Sequence, residues 1–192
     1  MSDEDSISKK KQPKYMNEEE TKLLLRTPYK TRQDHILMLK FGLKCGLRSN
    51  EIVSVQVKDI QETMHEGRKL GLIYILGKGD VERTVPMELD FLLEVQEYIK
   101  NNNLLYEDKL FDMSNRGLRK MVKRYGERAG IEKKLHPHML RHTYAVHNLK
   151  AGMNLRTLQK LLGHKHLTTT QVYLDITGMD VIDEFLEHRL PY

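Results

Sequence analysis

Between His136 and Tyr173 the sequence reads HPHMLRHTYAVHNLKAGMNLRTLQKLLGHKHLTTTQVY. It gathers His136, His138, His142, His147, His164 and His166 around Arg141 and a terminal Tyr173. A tyrosine hydroxyl can form a covalent phosphoryl intermediate. An arginine fork matches two non-bridging oxygens of a phosphodiester and stabilises the charge that grows on them during displacement. Histidines near the same phosphate donate hydrogen bonds or shuttle a proton. Together these residue types suit attack on a phosphodiester, by a scheme that needs neither a metal nor a cofactor. Taken singly they have a plainer reading, His138 and His164 as helix-end histidines and Tyr173 as a half-buried core aromatic. Their concentration in one stretch is what favours chemistry.

The elements that position them are readable locally. Pro137 can open a helix because a first-turn residue needs no backbone donor, and His138 and Arg141 then share one face at i and i+3. Met139, Leu140, Tyr144, Ala145, Val146 and Leu149 supply apolar cover, and Gly152 ends the helix in a left-handed conformation. Asn154 is expected to cap a second helix, whose stripe of Leu155, Leu158, Leu161 and Leu162 stops at Gly163. His164 therefore falls just past a helix end. Thr168 to Thr170 are expected to cap a further short helix carrying Tyr173.

Four stretches taken in order, CGLRSNEI, GKGDVERTVP, HPHMLRHTYAVH and LLGHKHLTTTQVY, resemble the tyrosine recombinase (phage integrase) family. The resemblance runs from about Met16 to Tyr173 and covers that family's catalytic domain. It implies an enzyme that cleaves and rejoins DNA strands in site-specific recombination, through a 3′-phosphotyrosyl intermediate and without metal or high-energy cofactor. By the same likeness Arg48 and Arg141 clamp the scissile phosphate, and Lys78 protonates the leaving 5′ oxygen. His138 and His164 complete the set, Tyr173 is the nucleophile, and Glu51 supports Arg48.

Composition agrees with an anionic partner. The 192-residue chain has a formal net charge of +5 and a pI near 9.1, with 39% hydrophobic and 31% charged residues and no Trp. This is the balance of a soluble globular chain long enough for one well-buried domain. Around the proposed chemistry Lys133, Lys134, Arg141, Lys150, Arg156, Lys160 and Lys165 face a single acid, Glu132, whereas residues 174 to 192 are acidic. No run approaches the roughly 18 apolar residues of a membrane span, and MSDEDSISKKK has no apolar signal core, so a cytoplasmic, nucleoid-associated protein is expected. The lone Cys45 cannot form an internal disulfide and reads as packing.

Earlier in the chain, residues 1 to 14 read as a disordered polar tail, and residues 15 to 192 as the catalytic domain. Asn17 is expected to cap a helix through Arg26, and Thr31 to Cys45 reads as the next helix, stopped by Gly46. Ser49 or Asn50 would cap a short helix beside Arg48. The alternation of Val53, Val55 and Val57 predicts a strand over Val53 to Asp59, followed by strands at Leu70 to Leu76 and Arg83 to Met87. Gly77-Lys78-Gly79-Asp80 forms the hairpin tip between the last two. Glu88 to Lys100 is helical, and Ser114 caps a helix to Ala129. The outer face of that helix carries Arg116, Arg119, Lys120, Lys123 and Arg124, a candidate DNA-tracking surface to which Lys165 adds. The pattern is α+β and mainly helical, with a small three-stranded antiparallel sheet on one edge.

Residues 178 to 190 form an amphipathic segment with Met179, Val181, Ile182, Phe185, Leu186 and Leu190 apolar. It is expected to dock, either on its own domain or on a neighbouring copy in a tetramer on double-stranded DNA. The resemblance implies an N-terminal core-binding domain ahead of the catalytic one, but only about sixteen residues precede the first match, so that domain is expected to be missing and a partner supplying the DNA clamp is a further expectation. Three other readings stay open: a type IB topoisomerase-like enzyme, a non-catalytic helical DNA-binding module, and a metal site built from His136, His138 and His142.

Overall fold

A computed structural model describes residues 14–29, 32–76 and 82–174. The expected hairpin tip with Lys78, the tail before residue 14 and the segment 178 to 190 lie outside the described residues.

Helix α1 (Glu18–Arg26) starts at a capping box in which Asn17 and Glu20 each accept the other's backbone N–H. Ahead of it, Met16 is buried and fastened to the later part of the chain. Its N–H donates to Thr143 Oγ1 at 3.0 Å and its carbonyl meets His147 Nε2 at 2.9 Å. Helix α2 (Gln33–Lys44) runs through the centre, burying Leu37, Met38, Leu39 and Phe41. Gly42, unfavourable for a helix by propensity, is there for packing: a Cβ would lie 2.8 Å from Leu140 Cβ. The helix gives way to Gly46 at φ 62°.

Helix α3 (Ser49–Ser54) follows, capped differently from expectation. Arg48 itself is the N-cap residue, and the Glu51 carboxylate reaches back to its N–H at 2.7 Å. Nor is there a strand over Val53 to Asp59. The helix occupies its first residues and a 3₁₀ turn its last, Val57–Asp59. Val55 is buried and Val53 and Val57 are half-buried because a helix end and a turn both pack on the core, which mimics a strand's period.

The first strand is instead β1 (Ile60–His65), joined to β2 (Arg68–Leu76) by a two-residue turn with Glu66 at φ 47° and Gly67 at φ 77°. Positive φ at both positions is what the right-handed strand twist favours in a tight hairpin. β3 (Glu82–Met87) pairs with β2 on its other side, so the sheet is antiparallel in the order β1-β2-β3, with Ile73 opposite both Ile60 and Val85.

Helix α4 (Leu89–Asn101) packs on the sheet, and Phe91 and Phe111 both meet Phe41 edge-on at 5.1 and 5.9 Å. Helix α5 (Asn115–Arg128) begins at the expected Ser114 cap, and α6 (Pro137–Lys150) is the buried helix that α2 packs against. Beyond it, α7 (Leu155–Leu162) lies between the Asn154 cap and left-handed Gly163. The short α8 (Thr168–Gln171) is capped by Leu167 without a side-chain bond; Thr170 is buried and employed elsewhere. A second apolar cluster of Tyr144, Ala145, Val146, Leu149, Leu158, Leu162 and Tyr173 ties α7 and α8 to α6. It fixes the position of Tyr173. Among the described residues no helix is long and apolar enough to cross a membrane.

Candidate active site

Helix α6 presents His138, Arg141 and His142 at i, i+3 and i+4, adjacent positions on one helical face. Its first turn is held by His136, whose Nδ1 accepts the Met139 N–H at 3.2 Å. Arg141 is only 3% exposed, yet its guanidinium is held by polar partners. Nη1 donates to the Gly46 carbonyl at 2.7 Å, and Nη2 donates to the Leu162 carbonyl and, at 3.0 Å, to His164 Nε2. One carbonyl belongs to left-handed Gly46 past the end of α2 and the other to Leu162, next to left-handed Gly163, where the backbone has turned its acceptors away from the helix ladder. Gly46 is obligatory for a second reason: a Cβ there would lie 2.5 Å from the Tyr144 ring.

A guanidinium only donates, so His164 must accept at Nε2 and carry its proton on Nδ1. That proton goes to Thr170 Oγ1, 3.0 Å away. The His164 backbone carbonyl is in turn held by Gln159 Nε2 at 3.1 Å. Burial, reinforced by Arg141 and Arg48, pushes the His164 imidazolium down to about 4, so the ring is neutral near pH 7. Burial and then the Arg48 charge likewise lower Arg141 to about 9.

Arg48 approaches from the start of α3. Its Nη1 donates to Glu51 Oε1 at 3.0 Å and its Nη2 to the Gly163 carbonyl at 3.1 Å, while 35% of the side chain stays exposed. Glu51 is the hub behind it. Burial would raise its carboxyl, but Arg83 grips both oxygens, at 2.8 and 2.7 Å, and with the Arg48 N–H holds the group at about 2. The Arg83 Nε donates to the Leu161 carbonyl at 2.8 Å, and its Cδ is where a Cβ on Gly163 would collide. One ion-pair network therefore joins α3, β3 and the end of α7.

Tyr173 follows α8 and is 2% exposed, more buried than a half-buried core aromatic. Its hydroxyl lies 2.8 Å from His142 Nδ1, with ring centroids 5.7 Å apart. Burial raises the phenol, while Arg141 and Arg48 pull it down. Burial, then the neighbouring His138 and His136, push His142 down to about 4. His138 is the exposed member of the α6 face, lowered first by burial and next by His136.

The structure thus brings together Arg48, Glu51, His138, Arg141, His164 and Tyr173, while Lys78 lies outside the described residues. Arg116, Arg119, Lys120, Lys123 and Arg124 are all exposed along α5, and Arg119 is near enough to depress His138. Lys123 faces Glu127 at 3.6 Å, and Lys165 is exposed.

Three site residues are not evident from sequence reasoning. Arg83 carries a signal: on β3 it falls in step with Val85 and Met87 on the buried face, where a cation requires a buried acid. Thr170 reads in sequence only as a cap, and His142 only as a possible metal ligand. Among the described residues no group of three or more His, Cys, Asp or Glu side chains is placed to hold a metal ion.

Comparison with known proteins bears on the same region. Residues 14–178 match the phage integrase family. The tyrosine recombinase XerA of Saccharolobus solfataricus is 38% identical over 181 residues, which is 93% of this chain but 58% of that protein; the chain spans little more than half its relative's length. The crystal structure of XerH site-specific recombinase bound to palindromic difH substrate, a post-cleavage complex, superposes with a TM-score of 0.74 and 27% identity. It covers 96% of this chain and 56% of that one. The catalytic domain of bacteriophage HP1 integrase, at 20% identity and a TM-score of 0.68, bears on the fold alone and covers 91% of this chain and 94% of its own. With the family matched across all the described residues, this chain belongs to the phage integrase family, the tyrosine recombinases.

Proposed function

We propose that this chain is the catalytic domain of a site-specific DNA recombinase, acting through a 3′-phosphotyrosyl intermediate. The observation that carries the reading is the convergence of two guanidinium groups, Arg48 and Arg141, with neutral His164 and buried Tyr173 at one place. Each arginine is oriented by backbone carbonyls, so its fork is set before any phosphate arrives, and pre-set donors cost no reorganisation when charge develops.

In this scheme Arg48 and Arg141 bind the non-bridging oxygens and Tyr173 Oη attacks phosphorus. The bond to the 5′ oxygen breaks, and Lys78 donates that oxygen its proton. His138 donates to the same phosphate, and His164 completes the set by accepting from Arg141 at Nε2 and so aiming that guanidinium. The phosphotyrosyl bond conserves the energy of the broken diester, so religation to a second strand needs no metal and no high-energy cofactor. Glu51 supports Arg48. The partner is double-stranded DNA, tracked by Arg116, Arg119, Lys120, Lys123 and Arg124 on α5 together with Lys165, and the protein works at the nucleoid. Residues 15 to 192 form the catalytic unit behind a polar tail. Residues 178 to 190 mediate assembly on DNA, with a clamping domain contributed by a partner.

The test is relaxation of supercoiled plasmid in excess EDTA, with the native chain beside Tyr173→Phe. Relaxation by the native chain alone, with protein-linked nicks trapped on denaturation, is expected. Relaxation by both would remove Tyr173 from its role. Plasmid binding without relaxation by either would favour a binding module, and relaxation with no strand exchange between plasmids sharing a site would favour a topoisomerase-like enzyme.

A further inference from the structure

We propose that His142 is a further catalytic residue of this site, the acceptor of the Tyr173 hydroxyl proton. The inference rests on the phosphotyrosyl reading and supplies the step it leaves open, the fate of the phenolic proton. Tyr173 Oη and His142 Nδ1 are 2.8 Å apart, within the range for direct proton transfer. His142 is fixed on the same buried helix as Arg141 and one turn beyond His138, so acceptor and phosphate clamp share one rigid support. His164 is excluded from the task. Arg141 donates to its Nε2, and its Nδ1 proton is committed to Thr170. The resting His142 ring is neutral and has a lone pair available, since burial and its histidine neighbours disfavour the imidazolium.

The step balances. As Tyr173 Oη bonds to phosphorus its O–H bond breaks and the proton passes to His142 Nδ1, while the 5′ oxygen leaves with the Lys78 proton. The new imidazolium faces a phosphate whose negative charge has grown. On rejoining, the 5′ hydroxyl attacks phosphorus, Lys78 takes its proton, the P–Oη bond breaks, and His142 returns its proton to the tyrosine.

Two variants and one spectroscopic measurement test this. His142→Ala removes the acceptor; His142→Asn keeps an oxygen near the Nδ1 position that can receive a hydrogen bond but not hold the proton. With supercoiled plasmid in EDTA, both are expected to form the denaturation-trapped adduct about a hundredfold more slowly than the native chain, the usual scale of a lost general base. Filter retention of plasmid should stay within about twofold, since every phosphate-binding side chain is kept, and added imidazole should accelerate His142→Ala. In the native chain, ¹⁵N NMR of labelled histidines should find His142 protonated on Nε2 and bare on Nδ1. A native-like rate for His142→Asn would reduce His142 to a hydrogen-bond holder, and a faster His142→Ala would make it a restraint on Tyr173. An Nδ1-protonated ring would deny it the proton, and any of these results overturns the proposal. Failure of the native chain to form an adduct would instead overturn the phosphotyrosyl reading itself.

Discussion

Arg83→Met removes the fork that grips Glu51 while keeping the aliphatic bulk beside Gly163. Glu51 is 11% exposed and is held at about 2 against an ordinary 4.5. At 1.36 kcal/mol per pKa unit, that depression corresponds to about 3 kcal/mol of stability at neutral pH. Burial alone would raise the carboxyl, so losing Arg83 forfeits somewhat more than the net figure, and about 3 to 5 kcal/mol is expected, as for other buried ion pairs deprived of one partner. For a domain of this size even the lower figure lowers Tm by roughly 6 to 12 °C. The sign with pH follows from the direction of the shift. A carboxyl with a depressed folded pKa stabilises fully above its unfolded value near 4.5, and that stability is lost as pH falls towards 2. The gap between native chain and variant should therefore be wide at pH 7 and shrink to less than half by pH 3, about one unit above the folded value. Urea unfolding followed by circular dichroism at both pH values measures it. A variant within about 0.5 kcal/mol of native at pH 7, the scale of an ordinary surface substitution, or a gap that does not shrink in acid, would refute the network as described.

Gly163→Ala forces a side chain into φ 62° and against Arg83 Cδ at 2.9 Å. It should cost at least ~1 kcal/mol in thermal unfolding, and it should slow adduct formation because the Gly163 carbonyl aims Arg48. Thr170→Val leaves the His164 Nδ1 proton without its partner in a buried setting, a loss of about 1–3 kcal/mol by urea unfolding. The His164 tautomer signal in ¹⁵N NMR should broaden or shift with it. Replacing Arg119 and Lys120 by Ala should weaken plasmid binding and make its salt dependence shallower, by about one in slope for each phosphate no longer neutralised. Filter binding across salt concentrations checks this, and an unchanged slope would take α5 off the DNA.

Much of the scaffold is legible in the sequence because its signals are local. Asn17, Ser114 and Asn154 cap the helices expected of them, and Gly163 ends α7 by a left-handed turn that few other residues adopt. The first strand is misplaced by sequence reasoning for an equally physical reason. Val53, Val55 and Val57 pack on the core from a helix end and a turn, while β1 is largely exposed on both faces and shows no alternation. Only the Glu66-Gly67 turn marks it. Within the site, Arg48, Arg141, His164 and Tyr173 stand out through motif resemblance, whereas their supports depend on residues distant in sequence. Arg83 reaches Glu51 across 32 positions and His142 meets Tyr173 across 31, and no local pattern announces such pairs.

The most direct measurement of the proposed chemistry is the identity of the covalent adduct. Native chain is incubated with plasmid DNA in EDTA and denatured, the DNA is digested with nuclease, and the modified peptide is sequenced by mass spectrometry. A nucleotide joined through its 3′ phosphate to Tyr173, with free 5′ hydroxyl ends on the DNA, is the expected result. An adduct on any other residue, a 5′ linkage, or cleavage that leaves no adduct would contradict it.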